Sequence, residues 1–214
     1  MDRLHMVKVL AIVTMVTGGV VMIGWIFDID TLKSILPIWV TMKFTTALNF
    51  LLSGLVLYSL AVLDASESAV AQILLQIASL MIVLLMGTLL VSTFLGIRSG
   101  VEDLFVKETE SAIKTTTPGQ PSVGTMVNFL LIVSAGLYKM FNPQKNATQL
   151  LMNLGRIIVV VGGAAIMGYI VGVPVLYYTL QGYSSAMAFH TALLFILLGV
   201  GMTLFKRREQ SHDH

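Results

Sequence analysis

Six apolar runs, each close to 20 residues long, constrain this chain more than any other feature. They lie at about 6–27, 42–63, 70–96, 122–141, 149–172 and 184–205. At about 1.5 Å of rise per residue, a helix of that length crosses a hydrocarbon core of roughly 30 Å. Inside lipid every amide and carbonyl needs a partner within the protein, so each run can span only as a helix. Composition agrees: 11% of the 214 residues are charged and 56% apolar, whereas a soluble domain carries about a quarter of its residues as charges. The expected fold is an all-α integral membrane protein of six transmembrane helices, one domain over 1–205. Its first partner is the lipid bilayer, and 206–214 form a short basic and polar tail.

The first run, Val7 to Phe27, is too long for a signal-peptide core and lacks an Ala-x-Ala exit, so it reads as a retained anchor. Two polar turns punctuate the chain, "DASESA" at 64–69 and "NPQKNAT" at 142–148, where Pro143 stops the fourth helix. Six spans put both termini on one side. That side holds Arg3, Lys8, Lys139, Lys145, Arg156, Lys206, Arg207 and Arg208; the other holds Lys33, Lys43, Arg98, Lys107 and Lys114. Eight basic residues against five place both termini in the cytoplasm of a multi-pass cell-membrane protein, with "KRR" at 206–208 the strongest element. The absence of cysteine excludes disulfides and thiolate metal or redox sites. A net charge of +2, gathered in membrane-flanking clusters, suits lipid head groups and not nucleic acid.

An internal repeat emerges when "TTALNFLLSG" (45–54), "GTMVNFLLIV" (124–133) and "HTALLFILLG" (190–199) are aligned. Each copy carries Thr and then Phe four residues on: Thr46/Phe50, Thr125/Phe129 and Thr191/Phe195. The preceding helix repeats too, "GGVVMIGWI" (18–26) matching "GGAAIMGYI" (162–170). Gly24 precedes Thr46 by 22 residues and Gly168 precedes Thr191 by 23; in the middle copy Ser92 takes the glycine position and Thr125 follows 33 residues later. The architecture expected is three successive helical hairpins, about 1–63, 64–141 and 142–205, running in parallel sense with short interfacial helices on the outer side. Thr and Phe at i and i+4 share a face, and Asn49 and Asn128, three residues after their Thr, join the stripe. The stripe can serve packing through helix-to-helix hydrogen bonds of roughly 0.6–2 kcal/mol, or line a polar ligand cavity near the outer leaflet. Its candidate residues are Thr46, Asn49, Thr125, Asn128, His190 and Thr191.

The outer connections look amphipathic. Leu32, Ile35, Leu36 and Trp39 are spaced for an in-plane helix over 30–41, which Pro37 kinks or ends. In 98–121, Val101, Leu104 and Phe105 alternate with Glu102, Asp103, Lys107, Glu108 and Glu110, and "TTTPGQPS" closes the loop. Tyr177, Tyr178 and Tyr183 supply an interfacial aromatic belt. These connections either seat the bundle in the head groups or form a lid over an outward-facing pocket.

Little in the sequence points to chemistry. His5, His212 and His214 lie outside the spans, and a single His190 at an outer helix end suits an interface better than a metal or haem site. Methionines such as Met15, Met22, Met81, Met86 and Met167 are scattered along apolar helices, which reads as packing. Asp28, Asp30, Lys33 and Lys43 form a solvated charge cluster. No ionisable residue sits at mid-membrane unless the fifth helix starts early enough to carry Arg156 inward, which argues against a proton-coupled transporter. No phosphate loop, nucleophile elbow or metal-helix motif is present, so neither enzymatic activity nor a cofactor is expected.

The stretches "GYIVGVPVLYY...MAFHTALLFILLGVGMTLF" and "LKSILPIWVTMKFTTALNFLLSGL" (32–55) resemble the multi-span N-terminal sensory region of prokaryotic histidine kinases and diguanylate cyclases. The likeness covers the first and third hairpins, and the middle one through "VNFLLI". Met187, His190, Thr191 and Phe195 stand at its recurring positions. The resemblance implies an input module for signal transduction and names no ligand. Nine residues follow Phe205, so the expectation is that no output domain is present and that signals pass to a membrane or cytoplasmic partner, or through a homo-oligomer. Two other readings stand beside it: a small transporter or channel using the polar stripe, and a His190-ligated cofactor or metal protein, which a spectrum and metal analysis of the purified protein would reveal.

Overall fold

A computed structural model describes residues 2–36, 39–108, 118–142, 144–177 and 185–205. The tail 206–214, with "KRR", lies outside the described residues, as do Pro37, Pro143, Lys114, Tyr178 and Tyr183. The chain forms α1 (Arg3–Ile26), α2 (Asp30–Lys33), α3 (Phe44–Ala65), α4 (Ala69–Leu95), α5 (Val123–Phe141), α6 (Lys145–Val171) and α7 (Phe189–Thr203). Among the described residues there is no strand. Five helices, α1, α3, α4, α5 and α6, are long and apolar enough to cross a membrane; α7 is apolar but has 15 residues.

The helices alternate in direction and make a bundle with two unlike ends. One, the turn end, carries Arg3, the tight 66–68 turn, the step from α5 to α6 and the close of α7. The other, the connection end, carries the long links after α1, α4 and α6. α1 packs along α3 and α6 along α7, α4 lies against both α3 and α5, and α1 also touches α7, so the bundle closes on itself. Burial separates an inner set from an outer one. Of the most apolar stretch, 67% is buried in α3 and 56% in α5, against 28% in α1, 33% in α4 and 28% in α6. The outer helices instead present Ile12, Val16, Val20, Ile73, Leu80, Leu84, Val160 and Ile170 to their surroundings, a surface suited to acyl chains.

The inner helices α3, α5 and α7 begin alike. Their N-caps Lys43, Ser122 and Ala188 are all extended, with φ near −66° and ψ near 150°, and each places its Thr third in the helix. This entry explains why α7 starts at Phe189 and not at 184: Ser185–Ala188 are non-helical, and the Met187 amide donates to the Tyr177 carbonyl at 2.9 Å.

The in-plane helix expected over 30–41 is reduced to the single turn of α2. Ser34 is extended, its hydroxyl donates to the Leu36 carbonyl at 2.7 Å, and the Met42 amide returns to the Lys33 carbonyl at 2.9 Å. A backbone folded back on itself cannot also make helical i→i−4 bonds. Among the described residues of the middle connection, a 3₁₀ turn forms at Val101–Asp103. There Glu102 is buried while Leu104 and Phe105 are exposed, the reverse of an amphipathic helix lying on its apolar side.

Candidate functional site

Thr46, Thr125 and Thr191 are each 2% exposed, and Phe50, Phe129 and Phe195 are fully buried. The three rings meet pairwise at 4.8, 4.9 and 4.9 Å between centroids. The Thr-Phe faces of all three inner helices therefore turn inward and close the bundle axis with an aromatic knot, within the range where ring pairs attract. The Ser122 hydroxyl caps α5 by accepting from the Thr125 amide at 3.1 Å.

Contacts between α1 and α3 have counterparts between α6 and α7. A Cβ on Gly18 would stand 2.6 Å from the Ala47 carbonyl oxygen, and one on Gly162 would stand 2.7 Å from that of Ala192. The Ile29 amide donates to the Gly24 carbonyl at 2.8 Å, and the Val173 amide to Gly168 at 2.9 Å. The Trp25 indole donates to the Met42 carbonyl at 2.7 Å, and the Tyr169 hydroxyl to Met187 at 2.8 Å. After α4 the Ile97 amide donates to the Ser92 carbonyl at 3.1 Å.

The remaining stripe residues are buried with unfilled hydrogen-bonding capacity. Asn49 donates from Nδ2 to the Thr45 carbonyl at 2.7 Å, but its Oδ1 has no partner. The Nδ2 of Asn128 and both ring nitrogens of His190 are also without one. All lie within the first two turns of α3, α5 and α7, at one level near the connection end; they share that level without hydrogen-bonding to one another. His190, 8% exposed, lies against the main chain of Lys33 from the first connection. Beside it Trp39 stacks on Phe189 at 4.7 Å and meets Tyr169 at 5.2 Å. Tyr177 is buried and stacks on Tyr169 at 4.3 Å. These aromatic rings form a packed seam between the first connection and the last hairpin, and Trp39 and Tyr177 do not stand free as a head-group belt.

The charge cluster at this end divides in two. Lys33 holds the exposed carboxylates of Asp28 and Asp30 at 2.5 and 2.8 Å. Lys43 turns away and pairs with Glu108, both 4% exposed, at 2.5 Å. Glu108 also accepts from the Gly119 amide at 2.6 Å and the Thr41 hydroxyl at 3.3 Å. Burial pushes the Lys43 ammonium below its ordinary value, and the adjacent Glu108 carboxylate only partly offsets this. Burial pushes the Glu102 carboxyl up. Hydrogen bonds from its own amide, the Ser99 amide and hydroxyl and the Gly100 amide outweigh that and hold it below the ordinary range. Sequence reasoning missed the Lys43–Glu108 pair, whose members lie 65 residues apart.

At the turn end Lys139 is 8% exposed and donates to Asp64 at 2.9 Å and to the Thr148 hydroxyl at 3.2 Å, with the Phe205 ring 5.3 Å away. One ammonium thus joins α3, α5, α6 and the end of α7. Beside it lies a cavity of about 360 Å³ lined by Leu60, Asp64, Glu67, Gln72 and Lys139, among others. α6 does start early, at Lys145, yet Arg156 stays exposed and donates to Asn153 at 3.0 Å. Its neighbour Gly155 packs against Gly199, Met202 and Thr203, so Arg156 stands beside the last turn of α7. Among the described residues no three His, Asp or Glu gather as a metal site. Comparison with family models, curated proteins and solved structures finds no match to this chain.

Proposed function

We propose that this chain is a non-enzymatic sensory input module, signalling through a partner protein or a second copy of itself. In this reading six helices cross the cell membrane as three equivalent hairpins with both termini in the cytoplasm. The matched contacts around Gly24, Ser92 and Gly168 and around Trp25 and Tyr169 support the repeat. The sixth crossing draws on both parts of the last run: 15 helical residues rise roughly 22 Å, and the buried, non-helical residues 185–188 lengthen it. The observation that carries the reading is the pairing of two features in one bundle. Buried polar atoms without partners sit at the connection end, and Lys139 ties the hairpins together at the turn end. A stimulus that fills the first can repack helices whose far ends meet at the second. Mild crosslinking in native membranes followed by co-purification tests it: a specific partner or a homo-oligomer is expected, and neither would count heavily against it.

The partnerless Asn49 and Asn128 atoms also favour a second reading, a small transporter whose solute they bind. The Phe50–Phe129–Phe195 knot blocks the axis, which weighs against an open channel. Solute flux in proteoliposomes that disappears with Asn49→Leu would promote this reading over the first.

A further inference from the structure

The chain leaves α1, α4 and α6 through like hydrogen bonds. The amides of Ile29, Ile97 and Val173 each donate to a carbonyl five residues back, on Gly24, Ser92 and Gly168. What comes next differs. Eight residues after Gly24 and Gly168 stand Leu32 and Leu176, and a Cβ on either glycine would lie 2.6 or 2.7 Å from the leucine Cβ. Eight residues after Ser92 stands Gly100, at φ 84°, where even an added Cβ would meet nothing within 4 Å. Gly100 thus brings no side chain to pack onto the end of α4 as Leu32 and Leu176 pack onto α1 and α6. A groove of about 380 Å³ opens at that end, lined by Gly87, Val91, Ser92, Leu95, Ile97 and Ser99 among others. Gly87 deepens it, since a Cβ there would meet nothing within 4 Å.

Position decides what can reach it. Ala69–Leu95 contains no charged residue, and exposed Ile73, Leu80, Leu84, Val91 and Leu95 share one helical stripe with Gly87. The groove is therefore continuous with the surface that meets acyl chains, and its occupant comes from the bilayer. Arg98 is the first charged residue after α4, which sets it at the boundary with water. Its chain neighbours Ile97 and Ser99 both line the groove. The Arg98 guanidinium holds Asp103 at 2.8 Å, the two side chains being 53% and 29% exposed. An anionic head group would face that carboxylate as well as the guanidinium, whereas a zwitterionic head matches both charges. A choline head carries the same charges but no N–H to donate. We propose that the groove seats one phospholipid of the ethanolamine type. Its acyl chain lies along Gly87, Val91 and Leu95, its phosphate accepts from Arg98, and its ammonium donates to Asp103. This dock needs a membrane around α4 and does not need the sensory role.

The full chain is reconstituted in bilayers of phosphatidylcholine, phosphatidylethanolamine and phosphatidylglycerol in equal parts, and native mass spectrometry counts the lipids that stay with it. One phosphatidylethanolamine should be retained over each of the others by about threefold. Gly87→Leu puts a branched side chain into the groove and should cut retention about tenfold, while the melting temperature in detergent holds or rises. Gly19→Leu, at an equally open glycine on α1, should leave retention unchanged. Arg98→Gln with Asp103→Asn should bring the three lipids level. Retention that survives Gly87→Leu, or no preference among the three lipids in the parent chain, overturns the proposal. So does a dimer that Gly87→Leu dissociates, which would make a second copy of the chain the occupant.

Discussion

Phe50 and Phe195 meet with centroids 4.9 Å apart and planes inclined at 56°, although 145 positions of sequence separate them. Phe129 touches both. This knot joins α3, α5 and α7 through the same residue type, so it carries the register of each inner helix against the other two. Replacing any of the three with Ala opens a ring-sized void that fully buried neighbours cannot collapse to fill, at about 3–5 kcal/mol. The second such replacement should cost less than the first, because the rings share partners. Unfolding in mixed detergent micelles measures both. Equal costs from Ala at partly buried Phe189 and at the knot would show that the rings do not set the register.

The paired glycines give opposite predictions at adjacent positions. A Cβ on Gly18 or Gly162 would run into a neighbouring carbonyl oxygen, whereas one on Gly19 or Gly163 would meet nothing within 4 Å. Gly18→Ala and Gly162→Ala must push two helices apart, and each should destabilise by about 1–3 kcal/mol. Gly19→Ala and Gly163→Ala should stabilise by up to about 1 kcal/mol through helix propensity alone. The order of melting temperatures among the four variants checks this, and a loss at Gly19 as large as at Gly18 refutes it.

What could be read in advance divides along a physical line. The inward Thr-Phe faces and the close approaches at Gly18 and Gly162 were legible because helical periodicity projects neighbours three and four apart onto one face, and small residues mark close approach. The same rule misled at Leu32, Ile35, Leu36 and Trp39. Their spacing is helical, yet Lys33 and Met42 bond across the segment and leave Ile35 and Leu36 exposed. Pairs far apart in sequence were illegible for a different reason. Nothing local distinguishes Lys43, which finds Glu108, from Lys33, which finds Asp28 and Asp30; only the fold of the middle connection over α3 decides. Lys139 and Asp64, 75 residues apart, are the same case at the other end.

The Lys43–Glu108 pair should behave as a buried ion pair. Each partner is 4% exposed, so Glu108→Gln takes from the buried ammonium the carboxylate 2.5 Å away, and Lys43→Met takes the ammonium from the buried carboxylate. Either single change should destabilise by about 3–5 kcal/mol, while Lys43→Met with Glu108→Gln should cost distinctly less than the sum. A double-mutant cycle on thermal unfolding reads the coupling. A coupling near zero would mean that the middle connection is not anchored through this pair.

Glu102 gives the middle connection an acid limit. Its carboxylate accepts from the Ser99 amide at 3.2 Å and the Ser99 hydroxyl at 3.0 Å. These bonds, with those from its own and the Gly100 amide, hold its pKa below the ordinary value of 4.5 despite burial. A carboxyl whose folded pKa is depressed contributes stability that is fully present above its unfolded pKa and is lost as pH falls through the folded one. The order of residues 98–105 should therefore hold down to about the ordinary carboxylate range and weaken below it. Protonation removes charge from the acceptor that Ser99 meets twice. Amide hydrogen exchange at Ser99 and Val101, followed from pH 6 downward and corrected for intrinsic rates, should show protection falling in that window. Glu102→Gln should start less protected and show no such step. A step that survives Glu102→Gln would assign the acid response to another group, with Asp103, the partner of Arg98 at 2.8 Å, the next to replace.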